Sequence, residues 1–409
     1  MAARQLPKPK ELAAWLTPRR PQLDPTARRL AQAYTVHDLR RLAARRTPKA
    51  IFDYVDGSAE YELTLRRAWR LFRRVELVPQ ILQDVRGIDP SANFLGQTAN
   101  LPWVLSPAGL TGAIRPGGEV AVARSAARFG VPYGLSQYTN TAVETVAAQA
   151  PGAHLWMGAV MPRPDQRDQA KRFFDRARQA GCDALVVTLD IDTPGSRFRD
   201  RRNGLSFPPR LSPAAIADAA LHPAWWLDFL SSGPIDLPHT FLPDAAPPAD
   251  PLEPSNAFQT VDDFAWLVQV WGGPVIAKGL NTAQDARLVV DAGAAAVVIC
   301  TNTGRQDQGP LALRELPAAV AEVGQQVPVF LDGGVMHGID IVAALALGAK
   351  GVFLSRAYLY GLMAGGERGV DRANELLREQ LVRAMAYLGV TRLDQLKPSH
   401  IRLPRPAHA

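Results

Sequence analysis

A chain of 409 residues could hold two or three average domains, yet a β/α barrel with extensions uses more than ~250 residues as one unit. Its 47% hydrophobic content is ample for a large core, no apolar run approaches the ~18 residues of a membrane span, and the N-terminus lacks an apolar signal segment. A soluble cytoplasmic protein is the expectation. The excess of 46 Lys and Arg over 39 Asp and Glu gives +7, which suits nucleic acid, anionic lipid or an anionic small molecule. Much of it lies at Arg19, Arg20, Arg28, Arg29, Arg40, Arg41, Arg45 and Arg46 with no nucleic-acid motif, so a solvated basic face is expected and no nucleic-acid partner. Cys182 and Cys300 have no metal-ligand spacing around them and read as reduced thiols, with no metal implied.

In chain order, residues 1–34 carry Pro7, Pro9, Pro18, Pro21 and Pro25 among charges, with one apolar patch at Leu12-Ala13-Ala14-Trp15-Leu16, and read as an extended basic arm. Thr35 and Asp38 make a capping-box start for a helix through Leu39, Leu42 and Ala43. Helical character in Ile51 to Val55 stops at Gly57 and Ser58 and then resumes.

From Leu101 onward short apolar runs alternate with helical patterns, as in a parallel sheet wound with helices. The strands expected are Trp103 to Ser106, Pro132 to Leu135, Leu155 to Met157, Ala184 to Thr188, Val275 to Lys278, Ala296 to Cys300, Val329 to Leu331 and Val352 to Leu354. Eight strands close a (β/α)8 TIM barrel, here placed in residues 35–403 with an N-terminal helical extension and a tail at 404–409. Helices from Gly118 to Phe129, from Thr282 with Asp285, and from Asp340 to Leu347 stop at Gly130, Gly293 and Gly348, just before the next strand. After the fourth strand a long insertion, about 201–271, breaks the rhythm with tandem Trp225-Trp226 and a Pro-rich stretch from Pro234 to Pro254. A structureless loop of that length is expected to be a lid; membrane docking by the Trp pair ranks lower because no basic amphipathic helix surrounds it.

The stretch Val297-Val298-Ile299-Cys300-Thr301-Asn302-Thr303-Gly304-Arg305-Gln306-Asp307 reads as a buried strand whose polar run emerges at its carboxyl end, where such barrels keep their chemistry. It resembles the Ser-Asn-His-Gly-Gly-Arg-Gln-Leu-Asp loop of the FMN-dependent α-hydroxy acid oxidases and dehydrogenases, the family of glycolate oxidase, L-lactate dehydrogenase and mandelate dehydrogenase. Thr303 stands at the catalytic His. The resemblance runs from about residue 35 to 403 and includes Asp53-Tyr54, Leu393, Leu396 and Ser399-His400-Ile401. It implies bound FMN, a carboxylate-bearing substrate, O2 or another electron acceptor, and a homo-oligomer, commonly a tetramer.

Carried over residue by residue, the resemblance implies Lys278 beside the flavin edge that gains charge, an inner-strand lysine being almost never buried without a partner. Asp332-Gly333-Gly334 and Ser355-Arg356 form the phosphate cradle, because a dianion is held by converging N–H donors and a guanidinium fork. Ser106, Pro107 and Ala108, then Ser136 and Thr188, are implied flavin contacts. Trp156 replaces a glutamine, Gly158 a tyrosine, with a wider pocket expected there, and Met336 an arginine whose part His337 could take. Arg199 and Arg305 are implied as the carboxylate clamp, with Tyr54 and Tyr138 adding hydroxyls. Asp190, the partner of the lost His, remains, and a threonine hydroxyl is no base near neutral pH. Three readings follow: an FMN oxidoreductase whose base is Asp190, a tyrosine or the substrate's own amine, as in a specialised biosynthetic step; one in which His337 is the base; and a flavin-binding but catalytically silent relative serving as a partner protein.

Overall fold

The computed structural model describes residues 8, 10, 22–190, 195–204, 213–231, 238–239, 259–301, 303 and 306–404. Eight parallel strands form a closed barrel: β1 Trp103–Leu105, β2 Tyr133–Ser136, β3 Leu155–Val160, β4 Cys182–Thr188, β5 Val275–Leu280, β6 Ala296–Cys300, β7 Val329–Asp332 and β8 Gly351–Leu354. All eight lie where the apolar runs put them. Strand β6 is buried along its whole length, since its side chains meet either the barrel interior or the helices outside, and it therefore reads as unbroken Ala-Val-Val-Ile-Cys. The interior is filled by Val104, Trp156, Val186, Ile276, Val298, Phe330 and Phe353. An antiparallel hairpin, Ala92–Phe94 with Gln97–Ala99, inserts Phe94 among them, its ring 5.1 Å from Phe330 and 6.4 Å from Trp156.

Helices α1 Pro25–Leu30, α2 Val36–Arg46, α3 Lys49–Asp56 and α4 Leu63–Phe72 precede the barrel. The Thr35–Asp38 capping box opens α2 as expected. Residues 25–30 are helical, which corrects the reading of an extended arm there: Asp24 caps α1 at 2.8 Å to the Thr26 amide, and Arg368 pairs with Asp24. The Leu12 to Leu16 patch lies outside the described residues, as does the tail beyond residue 404.

The insertion after β4 is also corrected. It carries helices α5 Phe198–Arg202, α6 Pro213–Ala220 and α7 Pro223–Leu230. The helix Val261–Trp271 at its end belongs to the barrel wall, opened by a Thr260–Asp263 capping box and burying Phe264, Leu267 and Trp271. Its apolar positions recur at helical spacing, a signal masked by the Pro-rich stretch before it. Beyond β7 and β8 lie α8 Gly338–Ala346 and α9 Arg356–Gly365, the latter packed on α2 and on the C-terminal helix Glu367–Tyr387.

Candidate active site

The carboxyl ends of β4, β5, β6 and β7 bring together one buried cation and its counter-charge. Lys278 Nζ lies 2.7 Å from the Asp332 carboxylate and 3.6 Å from Cys300 Sγ. Burial alone would depress the amine, but Asp332, with Cys300 and Asp190 nearby, outweighs it and holds Lys278 raised and charged. Thr188 is Lys278's neighbour across the β4–β5 ladder. Ser106 Oγ, after β1, lies 3.5 Å from the same Asp332 oxygen. Asp190 packs against Gly279, where a Cβ would collide with its carboxylate.

Next to this pair a small cavity is lined by Asp332, Gly333, Gly334, Met336, Ser355 and Arg356. Gly333 has φ +101°, and a Cβ there would meet Thr301 at 2.8 Å, so only glycine admits both the turn and the packing. Helix α9 starts at Ser355 without a side-chain cap, which leaves its first-turn amides directed at the cavity. The half-buried Arg356 guanidinium stands beside them, donating to the Val55 carbonyl at 3.1 Å, the Gly57 carbonyl at 2.8 Å and Thr303 Oγ1 at 3.2 Å. A buried cation, helix amides, paired glycines and a guanidinium fit a phosphate joined to a ring that gains negative charge.

On the outer side, Tyr54 of α3 donates to the Gly109 carbonyl at 3.2 Å, and Tyr138, 36% exposed, packs over the same glycine position. Ser136 Oγ accepts the Tyr138 amide at 3.1 Å, fixing the loop after β2. The Arg197 guanidinium lies over the Tyr54 ring at 5.3 Å and bonds the Tyr54 carbonyl at 2.5 Å.

The model of the family described as FMN-dependent dehydrogenase matches residues 43–403. The chain belongs to that family. Its cofactor is FMN, and its relatives include hydroxy acid dehydrogenases. A Mycobacterium tuberculosis protein with a provisional L-lactate dehydrogenase name is 42% identical over 402 residues, 97% of this chain and 96% of that one. The L-lactate dehydrogenase of Caulobacter vibrioides is 36% identical over 385 residues, 90% of this chain and 98% of its own. Among solved structures, (S)-mandelate dehydrogenase, described as a monotopic membrane protein, superimposes with a TM-score of 0.84 at 33% identity, covering 91% of this chain and 100% of that one.

Within the FMN-dependent dehydrogenase frame, several sequence readings change. Arg199 does not offer a free fork to a substrate: it donates to Asp56 at 2.8 Å and Glu62 at 2.6 Å, with Asp53 at 3.4 Å. Asp56 also accepts from Arg40 and, at 2.8 Å, from the Tyr360 hydroxyl, and these donors hold its carboxyl below the usual range against its burial. Arg197, two residues earlier, is the guanidinium that packs on Tyr54 instead, a distinction spacing alone cannot make. Arg305 lies outside the described residues.

Gly158 does not widen the pocket. A Cβ there would meet the Pro107 ring at 2.7 Å, and at Gly134 one would meet it at 2.5 Å, so Pro107 fills the space and Ala108 follows it above the barrel. Trp156 is 3% exposed among the inner aromatics, 6.1 Å from Phe353 and 6.4 Å from Phe94, so it is part of the barrel filling and not of the cavity lining. Thr303 is 4% exposed, and its carbonyl accepts from the Ala59 amide at 2.8 Å and from Ser58 Oγ. His337 caps α8, its Nδ1 accepting the Ile339 amide at 3.1 Å, and burial holds it neutral. That use leaves it facing its own helix, so it is not placed as a base.

Proposed function

We propose that this chain removes a hydride from the α-carbon of a carboxylate-bearing substrate and passes it to FMN without a histidine base. The observation that carries the reading is the contrast between two halves of one mouth. Lys278 and Asp332 remain buried and paired, while the position of the family's imidazole is taken by a threonine turned toward Arg356. FMN supplies the two-electron acceptor, and Lys278 supplies the positive charge that its ring needs on reduction.

Around it, the chain's own residues hold the substrate. Arg197, set by stacking on Tyr54, by its 2.9 Å pair with Asp200 and by its bond to the Tyr54 carbonyl, presents its Nη1 edge to the carboxylate. Tyr54 and Tyr138 close on the other side of Gly109 with hydroxyls for the α-substituent. As the α-C–H bond breaks, the proton on the α-heteroatom must leave; Asp332 is committed to its 2.7 Å pair with Lys278, and Asp190, the second carboxylate acting on that lysine, is the acceptor. A substrate amine that is already deprotonated needs no acceptor, and the loss of the imidazole favours that class over simple 2-hydroxy acids. Electrons then pass to O2 or another acceptor, in a cytoplasmic homo-oligomer.

A second reading, a flavin-binding but silent relative, is favoured by Thr303, whose hydroxyl is no base and is already engaged by Arg356 at 3.2 Å. Anaerobic titration of the purified flavoprotein separates the two. Bleaching of the flavin by an α-amino or α-hydroxy acid, with recovery in air, supports the oxidoreductase. Copurified flavin that no such acid reduces supports the silent form, and a chain that binds no FMN overturns both.

A further inference from the structure

We propose that the indole of Trp69 is a hydrogen-bond donor to the FMN phosphate, in place of the arginine that the family pattern puts at Met336, on the reading of the cavity between β7 and α9 as the phosphate's seat. Among the described residues lining that cavity Arg356 is the only cation, and the acid, Asp332, is paired with Lys278 at 2.7 Å. Met336 lines it too, but a thioether donates nothing. His337 next to it is occupied with its own helix, accepting the Ile339 amide at 3.1 Å. One guanidinium and a set of helix amides therefore face a dianion, and three of the five Arg356 N–H groups are already engaged by the Val55 and Gly57 carbonyls and Thr303 Oγ1.

Trp69 supplies a further donor. It lines the same cavity, and its Nε1 is buried with no hydrogen-bond partner among the described residues. A glycine brings its helix that close. Gly334 has φ +91°, and a Cβ there would meet Phe72 at 3.1 Å and Ala68 at 3.2 Å, so α4 lies directly on the turn after β7 and carries Trp69 to the cavity. Ala68 and Phe72 are buried in that contact, and His37 braces the indole edge-on with ring centroids 6.4 Å apart. A buried N–H without an acceptor is destabilising, and a phosphate oxygen in the cavity removes that penalty.

A tryptophan kept only for packing is the competing reading. Elsewhere in the chain buried indoles find acceptors, Trp103 donating to Asn374 at 3.0 Å and Trp225 to the Ile114 carbonyl at 2.9 Å. Trp271 Nε1 also lacks a partner among the described residues, but it abuts Gly273 on the barrel wall and no phosphate cradle adjoins it. Trp69 combines the unpaired donor with a cavity built for an anion. Its indole is neutral, so it contributes direction and a hydrogen bond while Arg356 supplies the charge.

The test compares FMN with riboflavin, which lacks the phosphate, on the full-length protein stripped of flavin. Trp69→Phe keeps a ring and removes the N–H. It should weaken FMN about tenfold and leave riboflavin unchanged, the size expected of one hydrogen bond to a charged group. Without flavin the variant should melt at or above the wild-type temperature, because an unpaired buried donor is gone, and FMN should raise its melting point less. In the unaltered protein carrying isotope-labelled tryptophan, one indole N–H resonance should shift downfield with FMN and not with riboflavin; the absence of such a shift overturns the proposal. Arg356→Gln is the control for the site. If it weakens FMN relative to riboflavin and Trp69→Phe does not, the indole is no phosphate donor and the cavity reading stands. If neither variant changes the ratio, the phosphate is seated elsewhere and both readings fail. Equal loss of FMN and riboflavin in Trp69→Phe, with a lowered melting point of the flavin-free protein, overturns the proposal in favour of packing.

Discussion

Replacing Arg199 and Arg197 in turn by Met separates a structural cation from a substrate-binding one. Arg199 bridges α5 to α3 and to Glu62 through bonds of 2.8 and 2.6 Å, and the side chains it meets are almost wholly buried, Asp56 at 1% and Glu62 at 8%. Removing one partner from a buried pair costs ~3–5 kcal/mol. Asp56 keeps Arg40 and Tyr360, and Arg199 is itself 31% exposed, so about 2–3 kcal/mol is the expected loss. Arg197 bonds the Tyr54 carbonyl, reaches the Asp53 carbonyl only at 3.4 Å and pairs with Asp200, so its removal should cost about 1 kcal/mol. It should, however, weaken binding of a carboxylate by the worth of a bidentate charge-assisted contact, about 3 kcal/mol or roughly a hundredfold. Urea unfolding followed by fluorescence reads the first quantity, and the flavin spectral shift on titration with an unreactive carboxylic acid reads the second. If Arg199→Met keeps its stability and loses the acid while Arg197→Met binds it normally, the assignment of the two arginines is wrong.

Other consequences can be checked on the same protein. Thr303→Val takes from the half-buried Arg356 its hydroxyl partner and should weaken FMN binding about tenfold, with Thr303→Ser restoring it; flavin fluorescence quenching measures both. Gly158→Tyr, which would reinstate the family's tyrosine, should destabilise by more than about 2 kcal/mol because Pro107 already occupies the position, and thermal unfolding reads the loss. Asp340, which accepts the Met336 and His337 amides at 2.8 and 2.9 Å, is pushed up to about 7 by burial. The folded protein therefore holds a proton there that the unfolded chain has released. The sign follows: Asp340's contribution is full in acid and is lost as pH rises through about 7, so stability of Asp340→Asn should decline less than wild type from pH 5 to 8.

The barrel was legible in the sequence because each strand is a short buried run ended by a turn signal, a local pattern that survives without knowledge of the rest. The buried lysine was legible for the same reason, since Lys278 inside an apolar run demands a counter-charge. What the sequence withheld were pairings between distant segments. The Asp56 centre joins Arg40, Arg199 and Tyr360, and Asp53, Asp56 and Glu62 look like an ordinary acidic helix surface until α5 folds over them. Pro107 filling the space at Gly158 is equally non-local, because an absent side chain reads as a hole in one dimension. The helices α6 and α7 were obscured by proline and alanine on either side, and their charged surroundings come from residues 29, 46 and 115.

The departures from the family share one direction, and that direction has a kinetic consequence. Relative to the family pattern, Thr303, Gly158, Trp156 and Met336 each stand where a titratable or hydrogen-bonding group would be. Lys278, Asp332 and Asp190 stay together at the barrel mouth. On the proposed function, the group that would stabilise charge on the acceptor is kept, and the group that would move the substrate's proton is gone. If the substrate is an amine that arrives unprotonated, the rate of flavin reduction must rise with pH through the amine's own pKa. In stopped-flow measurements across amines of graded basicity, the midpoint should then follow the substrate one for one. A midpoint that stays fixed as the amine is changed would place the titrating base on the protein, with Asp190 the first residue to replace, and would remove the reason for preferring an amine over a hydroxy acid.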